Sequence, residues 1–221
     1  MSKNIESDAS VFDSMAPGWY NFRHRTIFQS ELEELAERWR QGRLLNLGCG
    51  HGADFLPFKD RYELTGVDFS AVMLEMARKF ARKHFLKVHL QLADLRKLPF
   101  PDAAFDAAIA VASYHHLSGR EEQLAALVEL KRVLKPGAEA FITVWNRTQP
   151  RFWLLGREAM VPWRSGDETV YRYYHLFTYG EIEALVRQAG FTLISSRPES
   201  RYQFPMKVFS RNICLLIKKV G

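Results

Sequence analysis

Three glycines at alternate positions, Gly48, Gly50 and Gly52, end the short apolar run Arg43-Leu44-Leu45-Asn46-Leu47. Glycine lacks a Cβ, so these positions can take positive φ and let a bound molecule touch the backbone. The G-x-G-x-G spacing differs from the G-x-G-x-x-G of dinucleotide folds, and taken alone it serves equally well as an ordinary strand-to-helix turn. Two carboxylates add chemical content. Asp68 closes Glu63-Leu64-Thr65-Gly66-Val67, 18 residues beyond Gly50, and Asp94 closes Val88-His89-Leu90-Gln91-Leu92-Ala93. An acid at the tip of the second strand of a doubly wound sheet accepts hydrogen bonds from ribose hydroxyls through both carboxylate oxygens. His115-His116, beside Tyr114, ends the apolar run after Phe105-Asp106. A lone histidine is usually structural, but a pair at the carboxyl edge of a strand faces the substrate side of such sheets, and His116 is the first candidate.

These groups need a parallel sheet and covering helices to present them. Leu32, Leu35, Ala36 and Trp39 recur at helical spacing and predict a helix over about 26–40, ended by Gly42. Upstream, 11–17 reads as the end of an amphipathic segment that leads into an aromatic and basic patch at 19–25. Ser70 is placed to cap a helix striped by Met73, Met76, Ala77 and Phe80, whose Arg78, Lys79, Arg82 and Lys83 read as a solvated face or an RNA contact. Leu124, Leu127, Val128 and Leu134 mark a helix over 122–134; Pro136-Gly137 turns the chain, and 140–145 is a fifth strand. A last helix through Ile182, Leu185 and Val186 ends at Gly190, before strands at 191–195 and 212–218.

At 221 residues and 47% hydrophobic, the chain can bury one substantial core, and a single domain is expected. No apolar run approaches the roughly 18 residues of a membrane span and no signal-peptide core opens the chain, so a soluble protein is expected. Cys49 and Cys214 have neither metal-ligand spacing nor the number of a disulfide framework, which fits a reducing cytoplasm. The net charge of +6 permits a polyanionic partner without requiring one.

Taken in order, the glycine loop, Asp68, Ala93-Asp94-Leu95, Phe105-Asp106 and Leu134-Lys135-Pro136-Gly137 resemble the class I S-adenosylmethionine-dependent methyltransferases over about 43–144. The resemblance implies an α/β fold with a doubly wound, Rossmann-like, seven-stranded sheet, mostly parallel with an antiparallel final strand. It implies S-adenosyl-L-methionine as cofactor and no metal. Asn46, Gly48, Cys49, Gly50 and Gly52 would hold the methionine part, Asp68 the ribose, and Asp94 with Leu95 the adenine, with Ala112 at the end of the fourth strand. One position departs from the family. Where Asn46 stands an acid is usual, meeting the ligand's ammonium group; an amide accepts the hydrogen bond without charge, and a charge-assisted bond is about twice as strong.

Residues 146–177 interrupt the α/β rhythm with Arg147, Arg151, Arg157, Arg164 and Arg172 among Phe152, Trp153, Trp163, Tyr171, Tyr173 and Tyr174. Aromatic rings stack on unpaired bases while guanidinium groups hold phosphates or a carboxylate; a lid over a small substrate is the plainer alternative. Val161-Pro162-Trp163, Tyr171-Arg172-Tyr173-Tyr174-His175-Leu176-Phe177 and Gly180-Glu181, together with Met15-Ala16-Pro17, Arg23, His115-His116 and Trp145, resemble the tRNA methyltransferases that esterify 5-carboxymethyluridine at the wobble position. The long insertion of some members of that family is reduced here to a few residues around 165–169.

This second resemblance implies a single methyltransferase domain over 1–221, with an amino-terminal helical cap over about 1–42, a substrate insertion over about 146–177, and a tRNA anticodon loop as partner. Arg23, Arg172 and His175 would anchor the acceptor carboxylate, with His116 and Tyr173 as gentler hydrogen-bonding groups. A carboxylate is already ionised at neutral pH, so positioning matters more than a strong base. The family also implies a small zinc-binding activator protein that adds a strand beside 88–92, where apolar side chains alternate without proline. Two rival readings are a methyltransferase of a small carboxylic acid or quinone-like metabolite and a noncatalytic RNA-binding module that keeps the fold.

Overall fold

The computed structural model describes residues 5–165 and 168–221, so the shortened turn expected around 165–169 lies partly outside the described residues, at Gly166 and Asp167. Two helices, α1 (Ile5–Phe22) and α2 (Gln29–Trp39), precede the first strand. The strands β1 (Gly42–Leu47), β2 (Tyr62–Asp68), β3 (Val88–Leu92), β4 (Phe105–Val111) and β5 (Leu134–Trp145) then alternate with α3 (Ala71–His84) and α4 (Arg120–Val133). A hairpin, β6 (Glu158–Ser165) and β7 (Glu168–His175), is followed by α5 (Tyr179–Gln188), β8 (Phe191–Pro198) and β9 (Asn212–Lys219).

Seven strands form one sheet in the order β3-β2-β1-β4-β5-β9-β8, and β6 with β7 forms a separate two-stranded ribbon. The pairs along β3, β2, β1, β4 and β5 are parallel, whereas β9 runs antiparallel to both β5 and β8. The expected mostly parallel sheet with an antiparallel final strand is the observed one. The strand order reverses at β1 and β4, which puts the loops after both strands at one carboxyl-end crevice, the place where such sheets bind ligands. Strand alternation splits the core between two faces. Leu45 and Leu47 pack with Leu127, Leu130, Ile182 and Leu185 from α4 and α5, while Leu44, Leu64 and Ile109 pack with Leu32, Leu35 and Phe80 from α2 and α3.

Two elements run longer than their sequence signals. α1 continues through Pro17 to Phe22. Proline removes one backbone hydrogen bond from a helix, and here burial of Met15 and Ala16 against Met73 offsets that loss. β5 begins at Leu134 instead of 140, because Phe105 pairs with Leu134 and Ala107 with Glu139, so that 135–138, with Pro136-Gly137, bulge out of the ladder without ending it. Ser70 caps α3 as its position suggests, its Oγ accepting the Met73 N–H at 3.0 Å. Among the described residues β3 pairs with β2 alone, and no helix is long and apolar enough to cross a membrane.

Candidate functional site

A cavity of about 240 Å³ opens at the carboxyl ends of β1, β2 and β4. Gly48, Cys49 and Gly50 form its floor, with Asp68, Ala112, Ser113 and the two histidines around it. Gly50 has φ +50°, and a Cβ built there would meet nothing within 4 Å, so the backbone leaves a cradle open to the cavity. Gly48 has φ +66° and lies so close to Ser113 that a Cβ would come within 2.8 Å of the serine Cβ. The Ser113 hydroxyl donates to the Leu47 carbonyl at 2.7 Å, locking the β1 and β4 ends together. Gly52, φ +92°, does not line the cavity; it turns the chain over Phe55 and Ala77. Ala112 holds φ +57° without being glycine, its N–H donating to Thr143 Oγ1 at 2.9 Å. Such strain, on the order of 1–3 kcal/mol, persists where surroundings over-determine the backbone, often at functional sites.

Asp68 is buried, and its two oxygens accept the N–H groups of Gly50 (2.8 Å) and Ser70 (3.0 Å). Burial pushes its carboxyl up to about 6, against the lowering effect of those backbone donors. Each oxygen keeps a lone pair for a further donor. Asp94 and Leu95 line a neighbouring cavity of about 60 Å³, which shares His116 and Phe12 with the larger one. Arg96 grips Asp94 with a two-pronged contact and in turn reaches Glu122 at 2.7 Å. Asn46 is fully buried in β1, outside the cavity lining, and among the described residues neither its amide oxygen nor its nitrogen has a partner.

The far wall comes from α1 and the hairpin. Arg172, on β7, is buried with its guanidinium carbon 5.3 Å from the Tyr174 ring, 5.6 Å from Trp163 and 5.9 Å from Trp19. Arg23, just beyond α1, lies 4.5 Å over Trp19, and both arginines line the larger cavity. Among the described residues neither forms an ion pair. Burial lowers both guanidinium pKa values; for Arg23, buried Asp54 works against this and Arg172 adds to it. Two donors in this cluster, Arg172 Nε–H and Trp163 Nε1–H, are buried without a partner among the described residues. The arrangement is an aromatic cage with two positive groups and open donors, suited to an anion.

The histidine pair divides its roles. His116 Nδ1–H donates to the Tyr173 carbonyl at 3.0 Å, leaving Nε2 as an acceptor, and burial lowers the ring to about 4, so it is neutral at pH 7. His115 Nδ1 accepts the Trp145 N–H at 3.3 Å, and its ring stacks on Tyr174. Tyr173 lines the smaller cavity, its hydroxyl donating to Glu158 at 2.9 Å. His175 lines neither cavity; it lies against Phe177 and meets Glu181 at 2.9 Å through Nε2. The structure thus brings Arg23, Arg172 and His116 together with Gly48, Cys49, Gly50, Asp68 and Ala112, puts Asp94, Leu95 and Tyr173 next door, and leaves Asn46, Gly52 and His175 off both walls. The sequence placed Trp19 and Tyr174 only within aromatic patches and gave His51 and Asp54 no role, yet all four line the cavity.

Comparison with known proteins places the chain among methyltransferases. Residues 44–137 match the methyltransferase domain family. The chain is 30% identical over 173 residues to a putative methyltransferase of Encephalitozoon cuniculi, covering 75% of this chain and 77% of that protein. It is 28% identical over 156 residues to a probable tRNA methyltransferase 9B of Bos taurus, covering 70% of this chain and about a third (32%) of that longer protein. It is 25% identical over 175 residues to the tRNA (carboxymethyluridine(34)-5-O)-methyltransferase of Schizosaccharomyces pombe, covering 68% and 73% of the two. Among solved structures, the CcbJ methyltransferase from Streptomyces caelestis superposes with a TM-score of 0.79 at 18% identity, over 96% of this chain and 98% of that one, which shows the shared fold.

Proposed function

Because the chain belongs to the methyltransferase family, with S-adenosyl-L-methionine as its cofactor, we propose that it esterifies the carboxylate of 5-carboxymethyluridine at the wobble position of tRNA. The observation that carries the reading is the pair of guanidinium groups, Arg23 and Arg172, set without ion-pair partners in the wall of the cavity that the glycine loop floors. Two positive groups favour an anionic acceptor, and the names of the tRNA methyltransferases among the relatives support a tRNA carboxylate in that role.

The residues fit the cofactor. The open cradle at Gly50 has room for its amino-acid portion, Asp68 has a lone pair on each oxygen for ribose hydroxyls, and the cavity beside Asp94 and Leu95 continues from Asp68 toward an adenine. The orphaned Asn46 amide lies two residues before Gly48, within β1. When bound, the cofactor supplies an electrophilic methyl group on sulfonium sulfur, and displacement by a carboxylate oxygen leaves a neutral thioether with no proton to move. The protein's task is therefore to hold the oxygen in line and keep water out, which can remove about 7 kcal/mol or more of entropic barrier at best. Arg172 and Arg23 orient the carboxylate. His116, neutral and with Nε2 an acceptor, can hold a donor of the acceptor base without protonating the attacking oxygen. The aromatic rings of Trp19, Tyr174 and Trp163 dry the cage and strengthen its electrostatics.

The unpaired edge at β3, with Leu92 54% exposed, supports a small zinc-binding activator protein as a further partner on this reading. Co-expression with such a protein should raise solubility or activity, and Leu90→Pro, checked for folding by cofactor binding, should weaken the complex. The main test is transfer of label from S-adenosyl-L-methionine to tRNA carrying free carboxymethyluridine, compared with a small-molecule extract. An alkali-labile ester on the tRNA supports the proposal. Label in the extract alone identifies a small acid or quinone-like acceptor, and RNA binding with no transfer to either identifies a noncatalytic module.

A further inference from the structure

The wall of the cage continues outward as a stack. Arg172 lies over Tyr174, Tyr174 stacks on Trp145 with centroids 4.2 Å apart, and the Arg151 guanidinium carbon sits 4.4 Å over Trp145 on the surface side and 4.4 Å from Phe152. Trp145 lines the cavity, so Arg151 stands at its rim. The Arg211 backbone lies beside the same turn, its carbonyl accepting the Asn146 N–H at 2.9 Å and the Gln149 side-chain amide at 3.3 Å, two residues before Arg151, and the Arg211 charge acts on the Arg151 guanidinium. Both arginines are exposed, and among the described residues neither forms an ion pair. Glu199, the acid on the neighbouring loop, accepts the backbone N–H groups of Arg211 and Asn212. Like charges held together in this way are relieved by an anion between them. Beside the pair lies an aromatic shelf: Trp153, 63% exposed, is 5.9 Å from the Phe209 ring, which is 6.3 Å from Phe204, itself 54% exposed.

We propose that Arg151 and Arg211 clamp a backbone phosphate of single-stranded RNA at the cavity mouth, and that Trp153 with Phe204 and Phe209 stacks the adjoining unpaired bases. The proposal rests on the tRNA reading of the site. It adds a second anion site, separate from the carboxylate cage by the thickness of the Tyr174–Trp145 stack. Cage and clamp together suit an acceptor that is both a carboxylate and a nucleotide in a chain. Positive charge supplies the salt-dependent part of the binding, and the rings supply a sequence-tolerant part.

The test measures binding of a short unpaired RNA oligonucleotide against salt concentration for the wild type, Arg151→Gln, Arg211→Gln and Trp153→Ala, with S-adenosyl-L-methionine affinity as the check on folding. Each arginine variant should reduce the slope of log K against log salt, by no more than about 0.7, which one single-strand phosphate contributes. Trp153→Ala should weaken binding roughly tenfold or more with the slope intact. Cofactor affinity should be unchanged in all three. Arginine variants with wild-type affinity and slope, or a wild type that does not bind the oligonucleotide, overturn the clamp. Absence of methyl transfer to carboxymethylated tRNA, with the oligonucleotide binding and its loss in the variants as stated, overturns the substrate reading and leaves the clamp standing.

Discussion

Replacing Arg172 by lysine keeps the charge and removes the planar fork. In the structure the guanidinium is buried among three rings, with its carbon 5.3–5.9 Å from their centroids, inside the roughly 6 Å range of cation–π attraction. A fork can give a carboxylate two parallel charge-assisted bonds; an ammonium on a flexible stem gives one without fixing the plane of the acceptor. A hydrogen bond to a charged group contributes about 1.5–3 kcal/mol. Arg172→Lys should therefore lower kcat/KM for tRNA by roughly 10- to 150-fold, at about 1.4 kcal/mol per factor of ten. Initial rates with carboxymethylated tRNA measure the loss, and calorimetric titration should show unchanged affinity for S-adenosyl-L-methionine, because the lysine variant leaves the glycine loop and Asp68 alone. An unchanged kcat/KM, or a fall matched by an equal fall in cofactor affinity, refutes the assignment of Arg172 to the acceptor.

Asp68→Ala should abolish measurable cofactor binding in a folded protein, since it deletes a ligand contact at a strand tip without touching the apolar core; retained affinity removes Asp68 from the site. The wild-type affinity should also depend on pH. Ribose hydroxyls bond better to the ionised carboxylate, so binding lowers the pKa of Asp68 from about 6; affinity should rise with pH up to about 6 and stay flat above it, while Asp68→Asn is weak and flat throughout. In the cofactor-free protein the sign reverses. A carboxyl whose folded value is raised toward 6 from 3.8 costs stability as pH rises through that window, and Asp68→Asn should flatten the Tm profile between them. Asn46→Leu should raise the Tm of the cofactor-free protein, because two buried polar atoms without partners cost about 1–3 kcal/mol each, and should weaken cofactor binding; unchanged affinity takes Asn46 out of the site.

Signals that act through local spacing were readable in the chain. The glycine loop, the acid ending β2 and the Ser70 cap depend on neighbours a few residues away, and each stands where its spacing put it. Groups brought together by packing were not. His175 and Arg172 are three residues apart in one motif, yet Arg172 is in the cage while His175 turns to Glu181. A signal for the latter was present: Thr178 and Glu181 stand at capping-box spacing, and the box in the structure fixes Glu181 beside His175. Asp54 and His51 carried no motif of their own. Asp54 lines the cavity because the chain after Gly52 makes a short 3₁₀ turn over 53–58 where periodicity alone announced nothing, and His51 arrives with the glycine loop, between Gly50 and Gly52.

The two halves of the site are mechanically joined through α1. Trp19 lies 5.3 Å from Trp163, and Phe22 lies 5.7 Å from the same ring, so the hairpin that carries Arg172 rests on the end of α1 that leads to Arg23. Near the middle of α1, Asp13 accepts the Ser70 hydroxyl at 2.5 Å and the Val72 N–H at 3.3 Å. Ser70 donates its own N–H to Asp68, and Phe12 packs edge-on against both Phe69 and His116. One helix therefore registers Asp68 at the end of β2, His116 beyond the end of β4 and the guanidinium cage against each other. In-line methyl transfer tolerates little error in the distance between donor and acceptor, and on the proposed reading a wall held at three points keeps that distance while the acceptor side is built from elements outside the main sheet.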